Sequence, residues 1–319
     1  MALLIAFVLQ LLHVALLLAA APFVMGLIRF AKARLVGRAG PSVLQPWRDL
    51  VRLVRKRTVV AENASAVFLL APLVAFAATA AAVALVPSFA LGMITAPVAD
   101  LLVIAGLLTV ARVAQALAGL DIGTAFGGIG ASREMSFAAF AEPALLLVIF
   151  TLVLLTGTTN LDAAAELLRD GSLGLRVSLG LVLVAALAVA AAENGRIPVD
   201  NPATHLELTM VHEAMVLEYS GPDLAVIEAT AALRLVLWLT LIAVVFMPFG
   251  IALAEASVLG WLVGLGAWIG KMLVLSLALA VFETSIAKMR VFRVPEFLGI
   301  AVLLGLLAAV FLFVSTGFA

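Results

Sequence analysis

Acidic side chains set inside long apolar stretches are the residues of this sequence most able to do chemistry. Glu142, Glu228 and Glu283 fall within such stretches, Asp100 lies near the end of one, and Glu193 closes another. An ionised carboxylate in hydrocarbon costs at least about 3 kcal/mol, so each such acid lines a watery cavity, pairs with a base, or carries a proton. Arg112, Arg234 and Lys271 lie in the same apolar stretches and supply the pairing alternative. Glu228 and Arg234 are six residues apart and point to different faces of one helix, so their partners are expected on neighbouring helices. Glu142 precedes Pro143, which withholds a backbone donor and favours a kink. A buried carboxylate at a kink is a candidate proton station.

A second group of acids lies between two apolar stretches, in the segment 193–223, where Glu193 and Asp200 are followed by Glu207, Glu213 and Glu218. The run ENGRIPVDNP is irregular, and Ala203 to Glu218 has the composition of a helix. On such a helix Glu207 and Glu218 share a face about 16 Å apart, whereas Glu213 points elsewhere. Partly dehydrated acids in an array have raised and mutually coupled pKa values, as reversible protonation near neutral pH requires. A solvated acidic face is the plainer alternative. His205 and His212 would lie about 10.5 Å apart, too far to share a metal ion. His212 and Glu213 lack the second histidine of HExxH, so neither a metal site nor a catalytic residue is expected in this chain. His13 reads as a satisfied core residue. Gly127, Gly128 and Gly130 read as a flexible loop, since no strand precedes them and no lysine follows in register.

The elements that must position these groups are membrane helices. Of the 319 residues 65% are hydrophobic and 12% charged, with a mean hydropathy of +1.26, far outside the range of a water-soluble domain. The sequence therefore reads as an all-α integral membrane protein, one domain over 1–319, with a bundle of about eight transmembrane helices. A bilayer core of about 30 Å needs roughly 20 apolar residues, which places spans at Leu3–Leu27, Val67–Val86, Val98–Ala118, Phe137–Leu155, Leu173–Ala192, Leu224–Phe246, Val258–Phe282 and Phe297–Val314. If these alternate, the loops after the odd-numbered spans hold 14 of the 19 Lys and Arg residues, and on the other side fall only Arg169, in a loop, and Arg176, in the first turn of the fifth span. That bias puts the odd loops in the cytoplasm of a multi-pass inner-membrane protein, with both termini outside. The first cytoplasmic loop, 29–57, is strongly basic. After Pro41 it forms an amphipathic cytoplasmic surface helix, with Val43, Trp47, Leu50, Val51 and Val54 as an apolar stripe opposite Arg48, Arg52, Arg55 and Lys56. Anionic lipid and a peripheral subunit are both fitting partners for those cations. A formal net charge of zero implies no nucleic-acid partner. The chain has no cysteine to hold an iron–sulfur cluster, so any electron carrier sits in a partner.

Four stretches carry a family resemblance: RAGPSVLQPWRDLVRLVRK, GASREMSFAAFAEPALL, AENGRIPVDNPATHLELTMVHEAMVLEYSGPDL and FETSIAKMRVFRVPEFLG. Together they resemble the membrane subunit shared by respiratory NADH dehydrogenase (complex I) and membrane-bound [NiFe]-hydrogenases of the formate hydrogenlyase type. The third is the most specific, being similar to the complex I pattern AETNRxPFDxPE…SELV…EYSG at Glu193, Asn194, Arg196, Pro198, Asp200, Pro202, Glu207, Leu208, Glu218, Tyr219, Ser220 and Gly221. Gly40-Pro41-Ser42 in place of the usual GPN, and an EYSG motif set further from the proline, resemble the hydrogenase branch. The resemblance implies no cofactor in this chain, and quinone binding is a property of the complex I branch rather than of the hydrogenase branch. It further implies a [NiFe] centre and iron–sulfur clusters in partner subunits, namely hydrogenase large and small subunits on the cytoplasmic side, with antiporter-like membrane subunits alongside. In that setting Glu193, Asp200, Glu207, Glu213 and Glu218, with Glu142, Glu228 and Glu283, would couple electron transfer to proton or sodium movement. Arg196 and the basic surface helix would hold the partner. Alternative readings are a quinone-site subunit of a complex I-like oxidoreductase, a stand-alone transporter, for which no internal repeat is visible, and a passive anchor.

Overall fold

The computed structural model describes residues 2–171, 177–200, 210–253 and 255–317. Long apolar runs fold as helices because a helix alone satisfies its backbone polar groups in hydrocarbon. Among the described residues these are α1 (Ala2–Leu35), α3 (Ala66–Leu85), α4 (Leu101–Asp121), α5 (Ala125–Thr156), α7 (Val177–Glu193), α9 (Gly221–Phe246), α10 (Val258–Ser285) and α11 (Val294–Gly317). Three short helices accompany them: α2 (Gln45–Val54), α6 (Leu161–Arg169) and α8 (His212–Val216). Seven of the long helices have the length and apolarity to cross a membrane. The described part of α7 is 17 residues, about 26 Å, and is apolar except for Ser178 and the closing Glu193. The all-α membrane bundle anticipated by composition is what the chain forms.

Caps place the helix starts. The side chains of Ser65, Asp100, Thr124, Asn160 and Ser257 each accept a backbone N–H in the first turn of the helix that follows, worth about 1 kcal/mol apiece. Apolar over most of its length apart from Asp223, Glu228 and Arg234, α9 is the most enclosed span, whereas the others keep an apolar face turned outward, as helices against lipid or partner membrane subunits do. Around it α3 packs on α4, α5 on α4, α7 and α11, and α1 on α10.

Contacts between loops confirm the alternation of the spans. At one end, rich in basic residues, Asn63 donates to Ile122 O, Val59 N to Ser220 Oγ, Met289 N to Pro198 O and Arg133 to Met210 O. At the other, Leu101 N donates to Thr159 O, Gly92 N to Asp162 and Leu91 N to Ala252 O. Loops after odd spans thus meet at the basic end and loops after even spans at the opposite end.

Several expectations are corrected. Residues 125–136 are not a loop: α5 begins at Ala125 and runs 32 residues. The glycines there serve close packing, since a Cβ on Gly130 would stand 2.9 Å from Val211 O and 3.0 Å from Ala214 Cβ, and one on Gly127 would meet the Gly119 carbonyl. The helix expected to reach Glu218 ends at Val216. The single apolar stripe of α2 is divided: Pro46, Leu50 and Leu53 face α1 and α9, whereas Trp47, Val51 and Val54 are exposed beside Arg48, Arg52, Arg55 and Lys56.

Candidate functional site: a chain of charges at the basic end

Arg112, on α4 and buried, is the hub. Its Nη1 lies 2.8 Å from Glu142 Oε1, its Nε lies 3.6 Å from Glu134 Oε1, and its Nη2 contacts Glu193 Oε1. One guanidinium therefore faces three carboxylates, two from α5 and one from the end of α7. The length of α5 brings this about, because Glu134 and Glu142 stand about 12 Å apart along one continuous helix that packs against α4. Thr109 adds a donor to Glu142 at 3.3 Å.

From Glu134 the chain of charges continues out of the helices. His212, the first residue of α8, has Nε2 3.4 Å from Glu134 Oε2 and Nδ1 3.7 Å from Asp200 Oδ2. Asp200 in turn accepts from Lys288 Nζ at 2.8 Å. Gly195 makes this bridge possible: its φ is +54°, which favours glycine, and a Cβ there would stand 2.8 Å from His212 Nδ1. Burial by itself lowers the His212 pKa, but the charge of Glu134 and the interaction with Asp200 outweigh it and raise the value above that of an ordinary imidazole. Burial by itself raises the Asp200 pKa, yet His212 and Lys288 overcome it and hold the carboxyl at about 2. His212 is thus a titratable base placed between two carboxylates.

A separate pair of bases holds Glu283, which is buried with Lys32 Nζ at 2.7 Å and Arg196 Nη1 at 3.5 Å. Arg196 also reaches Met25 Sδ at 2.9 Å. Between these groups lies a cavity of about 500 Å³ whose wall includes Arg196, Asp200, His212, Glu213, Glu228 and Arg234. Arg234 is buried, and among the described residues its guanidinium has no hydrogen bond or ion pair. A smaller space of about 160 Å³ under α2, walled by Pro22, Pro46, Leu50 and Leu53, shares Met25, Arg29 and Glu228 with it.

The candidate residues read from hydropathy and spacing are distributed unevenly around this frame. Glu142, Glu193, Asp200, Arg112, Arg196 and Glu283 are brought into ion pairs. Glu228 is exposed toward the cavity and not paired with Arg234, and Glu218 is exposed in the turn after α8. Among the described residues Lys271 meets no acid: its Nζ sits 4.7 Å over the Phe249 ring. Arg48, Arg52, Arg55 and Lys56 are all exposed, Arg52 pairing with Asp49 at 2.7 Å. Glu207 and His205 lie outside the described residues. Asp100 caps α4, and His13 is satisfied by Ser88 Oγ at 2.7 Å and Val83 O at 2.9 Å. Glu134, Lys32, Lys288 and the bridging role of His212 escape a reading by hydropathy, because all four lie outside the apolar windows. The one available sign was that Glu134 and Glu142 both stand in the stretch GASREMSFAAFAEPALL.

The family model for NADH dehydrogenase matches residues 7–315. The chain belongs to this family, that of complex I subunit 1. Among curated relatives, formate hydrogenlyase subunit 4 of Escherichia coli K12 is 32% identical over 88% of this chain and 90% of its own. Hydrogenase-4 component C of the same organism is 30% identical over 92% of each. A subunit of the NADH-quinone oxidoreductase of Rickettsia bellii is 29% identical but spans only 62% of this chain and 61% of its own. In fold the chain is similar to one in the membrane-bound sulfane sulfur reductase, an archaeal respiratory membrane complex, with a TM-score of 0.80 at 18% identity over 96% of this chain and 99% of that one. Family membership covers all the charged groups above, so the hub at Arg112 and the bridge at His212 lie within the shared portion.

Proposed function

We propose that this chain is the membrane-anchoring and ion-coupling subunit of a membrane-bound hydrogenase complex of the formate hydrogenlyase type. The supporting observation is the bridge Glu134–His212–Asp200 joined to Arg112 and its three carboxylates. A guanidinium does not give up its proton, so Arg112 passes charge as a field, and protons move on the histidine and carboxylates around it. The catalytic [NiFe] centre and iron–sulfur clusters belong to hydrogenase large and small subunits docked on the cytoplasmic face, and antiporter-like subunits adjoin in the inner membrane. When a docked subunit is reduced, the added charge acts first on the outer end of the chain of charges, at Lys288, Asp200 and His212. At an effective dielectric of about 20, a unit charge some 8 Å away changes a site by about 2 kcal/mol, more than one pKa unit. Protonation then redistributes inward through Glu134 toward Glu142 and Glu193, with Glu213 and Glu228 on the cavity wall and Glu283 under Lys32 and Arg196 as further stations. Both termini face outward in this arrangement.

The test is purification of the intact complex through a tag on this chain, followed by mass spectrometry, nickel analysis and proton uptake in vesicles during turnover. Hydrogenase-like subunits, nickel, and proton movement abolished by His212→Gln are the expected results. A complex without nickel or hydrogenase-like subunits overturns the assignment.

A second reading, a quinone-site subunit, is favoured by one observation: the mostly apolar space under α2 shares Met25, Arg29 and Glu228 with the wall of the larger cavity. Under that reading, quinone-site inhibitors block turnover of the purified complex. Under ours they do not.

A further inference from the structure

The connection from α10 to α11 presents a side chain that the charge network does not use. Residues 291–293 form one 3-10 turn, closed by Arg293 N donating to Arg290 O at 2.9 Å. Adjacent residues in it point opposite ways. Val291 packs inward, against a cluster containing Phe137, Ala192, Val199 and Val211. Phe292 projects outward at 92% exposure, more than any other large apolar side chain described. Arg290 and Arg293 flank it, both exposed, and among the described residues neither meets a carboxylate.

We propose that Phe292 is a docking anchor, seating in an apolar pocket with a carboxylate rim on a peripheral protein subunit, with Arg290 and Arg293 pairing with that rim. An aromatic side chain between two arginines is the composition that dominates binding energy at protein interfaces. The turn is held from beneath by Val291, so the anchor is presented in a fixed conformation and little ordering remains to be done on binding. Two unpaired guanidinia commit the partner surface to negative charge.

Anionic lipid would also suit two arginines and a phenylalanine, but the attachments of the turn favour a protein. Met289 N donates to Pro198 O at 3.0 Å, and Lys288 reaches Asp200 at 2.8 Å. The turn is thereby bonded to the loop segment that carries the outer end of the charge chain, and Val291 rests against residues of that segment rather than on an outward helix flank. A subunit gripping Phe292 holds Lys288 against Asp200, which gives docking a direct mechanical path to the His212 bridge. This inference rests on the reading that a peripheral subunit binds at the basic end.

The test places the photocrosslinker p-benzoylphenylalanine at position 292 in the full complex in native membranes, with adducts identified by mass spectrometry. The expected product is an adduct to a water-soluble subunit that also co-purifies with the unmodified chain. Retention of that subunit falls roughly tenfold in Phe292→Ser, and the R290E/R293E double variant weakens it further at low salt than at high salt. Adducts to lipid alone, adducts to another membrane subunit, or no adduct while soluble subunits still co-purify each overturn the proposal. So does unchanged retention in both variants. If no soluble subunit accompanies even the unmodified chain, the reading beneath the inference falls and takes the inference with it.

Discussion

Arg112 shows how a buried cation is retained in a bundle where charge is expensive. Three carboxylates surround it, so each loses its counter-charge when the guanidinium is removed, and breaking buried pairs in this way costs about 3–5 kcal/mol. Arg112→Ala is expected to lower the melting temperature of the detergent-solubilised protein sharply, and Arg112→Lys to restore part of it while losing the three-way geometry. At His212 the expected signature is in pH dependence. Its folded pKa is raised, so its contribution to stability is complete below the ordinary imidazole value and is lost as pH climbs through the raised one. Asp200, held at about 2, contributes above the ordinary carboxylate range and loses that contribution only as pH falls toward 2. Melting temperature measured against pH should therefore decline on the alkaline side in the native chain. In His212→Gln that alkaline decline should flatten, and in Asp200→Asn it should move to lower pH.

At the scale of elements, two close approaches set the geometry. Gly130 lets α5 meet α8, and Gly195 leaves room for the His212 ring. Gly195→Ala adds both a strained φ and a clash, with an expected cost of about 1–3 kcal/mol. The informative result is a loss of proton movement larger than the loss of folded protein, because the methyl group pushes on Nδ1 itself. The spans and their alternation were legible from the sequence because hydrocarbon thickness and loop charge are one-dimensional quantities that a window can read. The start of α5 was not, since its first three turns leave the apolar window and their glycines resemble those of a loop until α4 and α8 are packed against them. For the same reason Glu142 was recognisable as an acid inside an apolar span and Glu134 was not, although Glu134 is the more deeply buried of the two. The pairing of Arg112 with Glu142 and Glu193, and the isolation of Lys271 over Phe249, depended on which helices are neighbours. Spacing along one helix does not carry that information.

The whole molecule places its ionisable chain at one end of the bundle, beside a cavity of about 500 Å³ and beneath loops that carry most of the basic residues. The opposite end is held by caps and backbone bonds, such as those of Asp100, Asn160 and Asp162. Burial raises the pKa of Asp162, with the Gly92 N–H opposing it, so Asp162→Asn keeps that contact and is expected to leave turnover and proton movement unchanged. Glu142→Gln is expected to keep the fold, through the remaining hydrogen bond to Arg112, and to reduce coupled proton movement while electron transfer in the docked subunits continues. Uncoupling of that kind, measured as hydrogen evolution without vesicle acidification, separates an ion-coupling subunit from a passive anchor.

The most direct measurement is reduced-minus-oxidised infrared difference spectroscopy of the intact complex, with this chain alone carrying ¹³C-labelled carboxyl groups. Labelled carboxyl bands that change on reduction, with that change abolished by Glu134→Gln, and an accompanying imidazole change abolished by His212→Gln, are the predicted result. A spectrum in which no labelled carboxyl group alters its protonation between the two redox states would contradict the account.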